Sequence, residues 1–152
     1  MKQKVHATFP VTVHMLFFRD EHILLSRRFQ TGYMDGYYSV PAGHLNGGET
    51  IIQAAMRESL EETGTSLSPQ DIHFVTVLHR YEGEERIDFF VRIKNWVGEP
   101  INTEPQKCDD LRWFSLTELP SNLVPYVSCG IQNSLQEKPF VEFGWKDIHK
   151  SP

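Results

Sequence analysis

Between Gly43 and Thr65 the chain reads GHLNGGETIIQAAMRESLEETGT. On a helix, Glu58, Glu61 and Glu62 stand at i, i+3 and i+4, so their three carboxylates share one face. Like charges at that spacing repel one another, and no lysine follows Arg57 at i+4 to offset them. The face is either a solvated surface or a seat for hard divalent cations, which take oxygen ligands and keep several waters. Two features favour the cation. Ala54 falls on the same face one turn before Glu58, where a longer side chain would fill the space the carboxylates enclose. The preceding PAGHLNGGE places three glycines and a proline at the helix start, a use that fits close approach of the backbone to something.

The elements that must hold these residues follow from the pattern around them. The helix is expected at about 50–63, with Thr50 and Gln53 as a capping box and Gly64 as a left-handed C-cap. Its core-facing stripe reads as Ile52, Ala55, Met56 and Ser59. Upstream, Val11, Val13, Met15 and Phe17 alternate with Thr12, His14 and Leu16 as in a strand, and ILLSRRF returns after the DEH turn as a first hairpin. YSVPAGHL is a short extended piece, because Pro41 cannot lie inside a helix. DIHFVTVLHRY and RIDFFVRIKNW form a second hairpin around EGEE. LRWFSL is a further strand, a helix is expected at about 124–136, and FVEFGW closes as a terminal strand. Strands at both ends with helices between them predict an α+β fold, an α/β/α sandwich in which helices flank a mixed β-sheet.

Composition narrows the function classes. A chain of 152 residues with 39% hydrophobic and 23% charged residues predicts one globular domain over 1–152. Net charge is -5 with the basic residues scattered, which argues against a nucleic-acid binder. Cys108 and Cys129 are too few for a disulfide framework and lack metal-ligand spacing. The opening MKQKVHATFPVTVHMLFF resembles a signal peptide, but Pro10, Thr12 and His14 interrupt it and no small-residue cleavage site follows. No stretch reaches the length of a membrane span. The expectation is a soluble, cytoplasmic protein with neither nucleic-acid nor membrane partners.

Gly43, Glu49 and Arg57-Glu58-Ser59-Leu60-Glu61-Glu62-Thr63-Gly64-Thr65 resemble the Nudix box, G-x5-E-x7-R-E-U-x-E-E-x-G-U, where U is a bulky apolar residue. All seven fixed residues are in place, whereas the two U positions hold Ser59 and Thr65. The strand order around the box also resembles a Nudix fold through about residue 140. The resemblance implies hydrolysis of a nucleoside diphosphate linked to another moiety, with Mg2+ or Mn2+ as cofactor. Carried over by position, Glu58, Glu61 and Glu62 become metal ligands, joined by the backbone carbonyl of Ala42. Glu58 serves as or orients the general base, and Arg57 holds Glu58 or Glu49, which completes the catalytic set.

Outside the box, NWVGEPINTEP resembles the segment in which the MutT-like branch supplies another glutamate, so Glu104 is expected as a further metal ligand. Arg28, Asn122 and Tyr81 match substrate-contacting positions, although a strand end and a turn would also account for the first two. His44 lies beside the site and could simply cap its loop. The implied partner is a small-molecule nucleotide, and the chain is expected as a monomer or homodimer. A nucleoside triphosphate, oxidised or noncanonical ones included, cut to monophosphate and pyrophosphate is the leading substrate. The alternatives are a dinucleoside polyphosphate, a nucleotide sugar, or a non-catalytic module that senses nucleotides. The last would be expected to lose some carboxylates, and this chain keeps them all.

Overall fold

The computed structural model describes residues 1–147. Its elements run β1 (Val11–Arg19), β2 (His22–Arg28), β3 (Tyr38–Ser39), β4 (Ala42–His44), α1 (Ile51–Thr63), β5 (Ile72–Tyr81), β6 (Glu85–Ile93), β7 (Cys108–Ser115), α2 (Pro125–Leu135) and β8 (Phe140–Phe143). Short 3-10 turns stand at Pro69–Asp71 and Trp145–Asp147. The strands form a mixed sheet in the order β3-β2-β1-β6-β5-β8, with β4 also pairing β1 and β7 also pairing β2. The β1–β6 and β5–β8 pairs are parallel and the rest antiparallel. This is the α+β sandwich expected, with one helix on each face.

The first hairpin is much shorter than the sequence suggests. Only Phe18↔Ile23 and Arg19↔His22 pair around the turn, where Asp20 has φ 53°. The two strands then part: β2 turns to β7, while the body of β1 lies between β4 and β6. The second hairpin does form, from Tyr81↔Glu85 back to Ile72↔Ile93, with one irregularity between Phe74 and Thr76.

Alternation along β1 also misleads, because helices cover both sides of the sheet. Val13, Met15 and Phe17 belong to one core layer with Ala54 and Ala55 of α1. Leu16 belongs to the other layer with Val127 and Ile131 of α2, and the polar Thr12 and His14 beside it are buried too. A centrally placed strand buried on both faces has no solvent side to mark with polar residues. YSVPAGHL divides into β3 and β4, and Pro41 between them accepts a hydrogen bond from Met15 N–H at 2.8 Å. The chain thereby enters β4 directly beneath α1. Among the described residues no helix is long and apolar enough to cross a membrane.

Candidate active site

Helix α1 is fixed at both ends before it presents any charge. Thr50 Oγ1 accepts from Gln53 N–H at 3.1 Å, Gln53 Oε1 accepts from Thr50 N–H at 2.9 Å, and Gly64 closes the helix at φ 71°. Its buried stripe is Ala54, Ala55, Ser59 and Thr63. Ala54 is therefore a core residue, not part of the carboxylate face, and Ile52 and Met56 are only partly buried. Small residues on that stripe let the helix sit close to β1 and β4. At the two atypical box positions, Ser59 and Thr65 are fully buried. Thr63 Oγ1 donates to the Ser59 carbonyl at 2.6 Å, which leaves Thr65 to donate to Thr63 Oγ1 at 2.7 Å. Packing thus accommodates Thr65 by a hydrogen bond, while Ser59 Oγ has no partner among the described residues.

The close approach of β4 to α1 explains Gly43. A Cβ built there would stand 2.0 Å from Glu58 Cδ, so any larger residue would displace that carboxylate. One residue earlier, the Ala42 N–H donates to Glu62 Oε2 at 2.9 Å. Glu62 is deeply buried, and desolvation pushes its carboxyl up to about 8 against the pull of the Ala42 N–H, with Glu58 and Glu104 adding repulsion. Burial also raises Glu58, opposed by Arg57 and reinforced by Glu61 and Glu104. These mutual repulsions show that the four carboxylates face a common space.

Arg57 organises the acids from behind. It clamps Glu49 through two hydrogen bonds of 2.7 and 2.9 Å, which hold that carboxyl down at about 2, with help from Asn46 N–H. It also donates to Glu58 Oε1 at 2.6 Å, to Glu61 Oε2 at 3.3 Å and to the His44 carbonyl at 3.1 Å. Neither Arg57 nor Glu49 lines the cleft, whereas Ala42, Gly43, Glu58, Glu61, Glu62 and Glu104 do. The first two are positioning residues by geometry.

Glu104 reaches the cleft from the loop before β7. Asn102 Oδ1 accepts its N–H at 3.1 Å, its carbonyl accepts from Lys107 and Cys108, and the Thr103 hydroxyl donates to the Glu61 carbonyl. The loop is thus tied to the end of α1. Oxygen ligands from two segments suit a hard divalent cation. Among the described residues no three such groups already converge at coordination spacing, because Arg57 holds Glu58 and Glu61. The donor set fits the cation, and a charge of +2 would offset the burial and repulsion felt by Glu58 and Glu62.

The remaining expected contacts divide. Arg28 lines the cleft of about 820 Å³, but it donates to the Tyr33 carbonyl at 2.6 Å and Thr31 Oγ1 at 3.0 Å, so it braces the loop at 30–36. Asn122 lies outside the cleft, its side chain donating to the Gly36 carbonyl at 2.8 Å. Tyr81 is also outside, packed against Trp145. His44 lines the cleft and meets Arg86 NH1 at 3.2 Å.

Sequence reasoning overlooked a buried polar group at the same cleft. Asp88 accepts from Arg80 at 2.7 and 3.2 Å and lies 3.1 Å from His14 Nε2. Burial would raise the Asp88 carboxyl, but His14 and Arg80 hold it below the usual range. Arg80 stacks 3.6 Å from the Tyr126 ring centroid, and burial pushes the Tyr126 hydroxyl up to about 12. The signal was present: Thr12, His14, Arg80 and Asp88 occupy the strand parity that Leu16, Leu78 and Phe90 mark as inward.

Comparison with known proteins identifies the family. The NUDIX domain model matches residues 8–128. The RNA pyrophosphohydrolase of Wolbachia sp. subsp. Brugia malayi (strain TRS) is 28% identical over 129 residues, 74% of this chain and 78% of its own length. Phosphatase NudJ of Escherichia coli O1:K1 / APEC is 34% identical over 85 residues, 54% of each chain. The MutT NUDIX hydrolase from Burkholderia pseudomallei superposes with a TM-score of 0.77 at 25% identity, covering 84% of this chain and 98% of that one. With the family match spanning most of its length and the box carboxylates gathered at one cleft, the chain belongs to the Nudix family of hydrolases, which act on phosphorus-containing anhydrides.

Proposed function

We propose that the protein hydrolyses a nucleoside triphosphate to the monophosphate and pyrophosphate, with Mg2+ or Mn2+ held by Glu58, Glu61, Glu62, Glu104 and the Ala42 carbonyl. The observation that carries this reading is the raised, mutually repelling pair Glu58 and Glu62 beside Gly43, in a cleft large enough for a nucleotide. Four acids alone would repel a polyphosphate. A cation bound there would supply charge neutralisation at the phosphates. The chain's own residues do the rest. Glu58 is the base in this reading, and Arg57 holds its carboxylate in place at the cleft. The water oxygen bonds to the α- or β-phosphorus, its proton passes to Glu58, and the bond from that phosphorus to the α–β bridging oxygen breaks, the electron pair leaving on the departing pyrophosphate or monophosphate. Lys107 lines the cleft with no salt-bridge partner among the described residues, so its ammonium is available to a phosphate oxygen.

A second reading, a triphosphate at an RNA 5′ end, is favoured by the name of the Wolbachia relative. One screen tests both. Nucleoside triphosphates, dinucleoside polyphosphates, nucleotide sugars and a 5′-triphosphorylated oligoribonucleotide are incubated with Mg2+, Mn2+ or EDTA, and pyrophosphate and phosphate release are measured separately. Metal-dependent pyrophosphate release from a free triphosphate, lost in Glu58→Gln, is expected. Cleavage restricted to the oligonucleotide would transfer the assignment to RNA, and cleavage of none would refute both.

A further inference from the structure

We propose that Thr12 and His14 form a recognition subsite for the uncharged ring of the substrate, one that hydrogen-bonds to a polar group on that ring. The inference rests on the nucleotide reading above and concerns a part of the cleft away from the carboxylates of α1. Thr12 and His14 lie two residues apart on one face of β1, are 6% and 1% exposed, and both line the cleft. Among the described residues neither Thr12 Oγ1 nor His14 Nδ1 has a hydrogen-bond partner. Buried polar atoms are ordinarily paired, so two orphans side by side at a cleft wall indicate groups that a ligand satisfies.

The surroundings decide what kind of group that is. Asp88 already accepts two hydrogen bonds from Arg80, and an ionised carboxylate can only accept. The 3.1 Å contact with His14 therefore needs a proton on Nε2, which leaves the Nδ1 edge to a ligand. Phe90 stacks on the imidazole at 4.5 Å and 13°, so that edge has a fixed direction. The Thr12 hydroxyl beside it can donate to a neighbouring ring acceptor or take an amino hydrogen. Arg80 is matched by Asp88 and Glu82, so its charge is already taken. A flat heterocycle with hydrogen-bonding ring atoms suits two such groups beside stacked aromatic rings. Tyr126 covers His14 edge-on at 5.5 Å, and its hydroxyl makes no hydrogen bond to a described residue. Asp88 is the positioning residue, and His14 is the one that reads the ring.

The test measures binding apart from turnover. ATP, GTP, CTP, UTP and inorganic tripolyphosphate are titrated with Mg2+ into Glu58→Gln, and into the same protein carrying His14→Gln. Glutamine places its amide where Nε2 stands, so the Asp88 hydrogen bond survives while the Nδ1 edge is lost. At least one nucleotide is expected to bind about tenfold more weakly, as for loss of one well-placed hydrogen bond, with tripolyphosphate unchanged. Thr12→Val keeps the side-chain shape, removes the hydroxyl, and is expected to weaken the same nucleotide at least threefold. Should the glutamine variant fail to fold, Thr12→Val carries the test with the same outcomes. Equal affinities for every nucleotide in parent and variants, equal losses for nucleotides and tripolyphosphate, or no nucleotide binding at all would overturn the subsite. A wild-type protein that cleaves no nucleotide, yet binds one in a His14-dependent way, would refute the proposed reaction and leave the subsite standing.

Discussion

Replacing Glu62 by glutamine should make the metal-free protein more stable at neutral and alkaline pH, even though it removes a residue the site needs. Burial raises the Glu62 carboxyl from 4.5 to about 8 in the fold. A carboxyl raised in this way binds its proton more tightly folded than unfolded. Its favourable contribution is complete below pH 4.5 and is lost as pH rises towards 8. At about 1.4 kcal/mol for each pH unit, that interval corresponds to roughly 3–5 kcal/mol. Glutamine retains the carbonyl oxygen that accepts from the Ala42 N–H, cannot ionise, and so escapes the loss. Urea denaturation in EDTA at intervals from pH 5 to 9 measures the effect. Wild-type stability should fall progressively below that of Glu62→Gln, by about 2 kcal/mol or more at pH 8. Glu58 is raised in the same direction and persists in both proteins, so the difference between them isolates Glu62. Mg2+ should restore the wild type and leave the variant largely unaffected, because the cation relieves a charge the variant lacks. Parallel pH profiles for the two proteins would show that Glu62 ionises freely in the fold and would refute the argument.

Glu58→Gln should retain the fold and lose turnover by roughly 10²–10⁴, as expected for the loss of a base or metal ligand, measured as pyrophosphate release at saturating Mg2+. Glu104→Gln should cost about 10- to 100-fold, since a water can replace one loop ligand around a retained cation. Glu99→Gln is its control: Glu99 pairs with Arg19 at 2.8 Å on the exposed surface, where solvent screens the contact, and steady-state rates should match wild type. Equal rates for both loop variants would remove Glu104 from the ligand set. Asp88→Ala should destabilise the fold by roughly 3–5 kcal/mol in denaturant titrations, because it removes the buried carboxylate that Arg80 donates to twice and leaves only Glu82 at the edge of the site. Stability within 1 kcal/mol of wild type, on the order of a surface substitution, would mean that Arg80 finds water instead.

The acid-bearing helix was legible in the sequence because its determinants are local. Capping by Thr50, Gln53 and Gly64, the i, i+3, i+4 spacing of Glu58, Glu61 and Glu62, and the box glycine and arginine all act within one turn or one loop. The same locality located β5, β6 and α2 and gave the fold class. Tertiary structure decided what depends on which strand lies beside which. β1 parts from β2 after two pairs and is covered on both faces, so its alternation could not distinguish core from solvent. Ala54 became a core residue because β1 and β4 lie closer to α1 than its charged face suggests. Asn122 and Tyr81 were drawn into hydrogen bonding and packing elsewhere, where Gly36 and Trp145 happened to meet them. The Arg80–Asp88–His14 group joins residues as many as 74 positions apart. Burial is what raises Glu62, and burial belongs to the assembled sandwich and not to any segment of the chain.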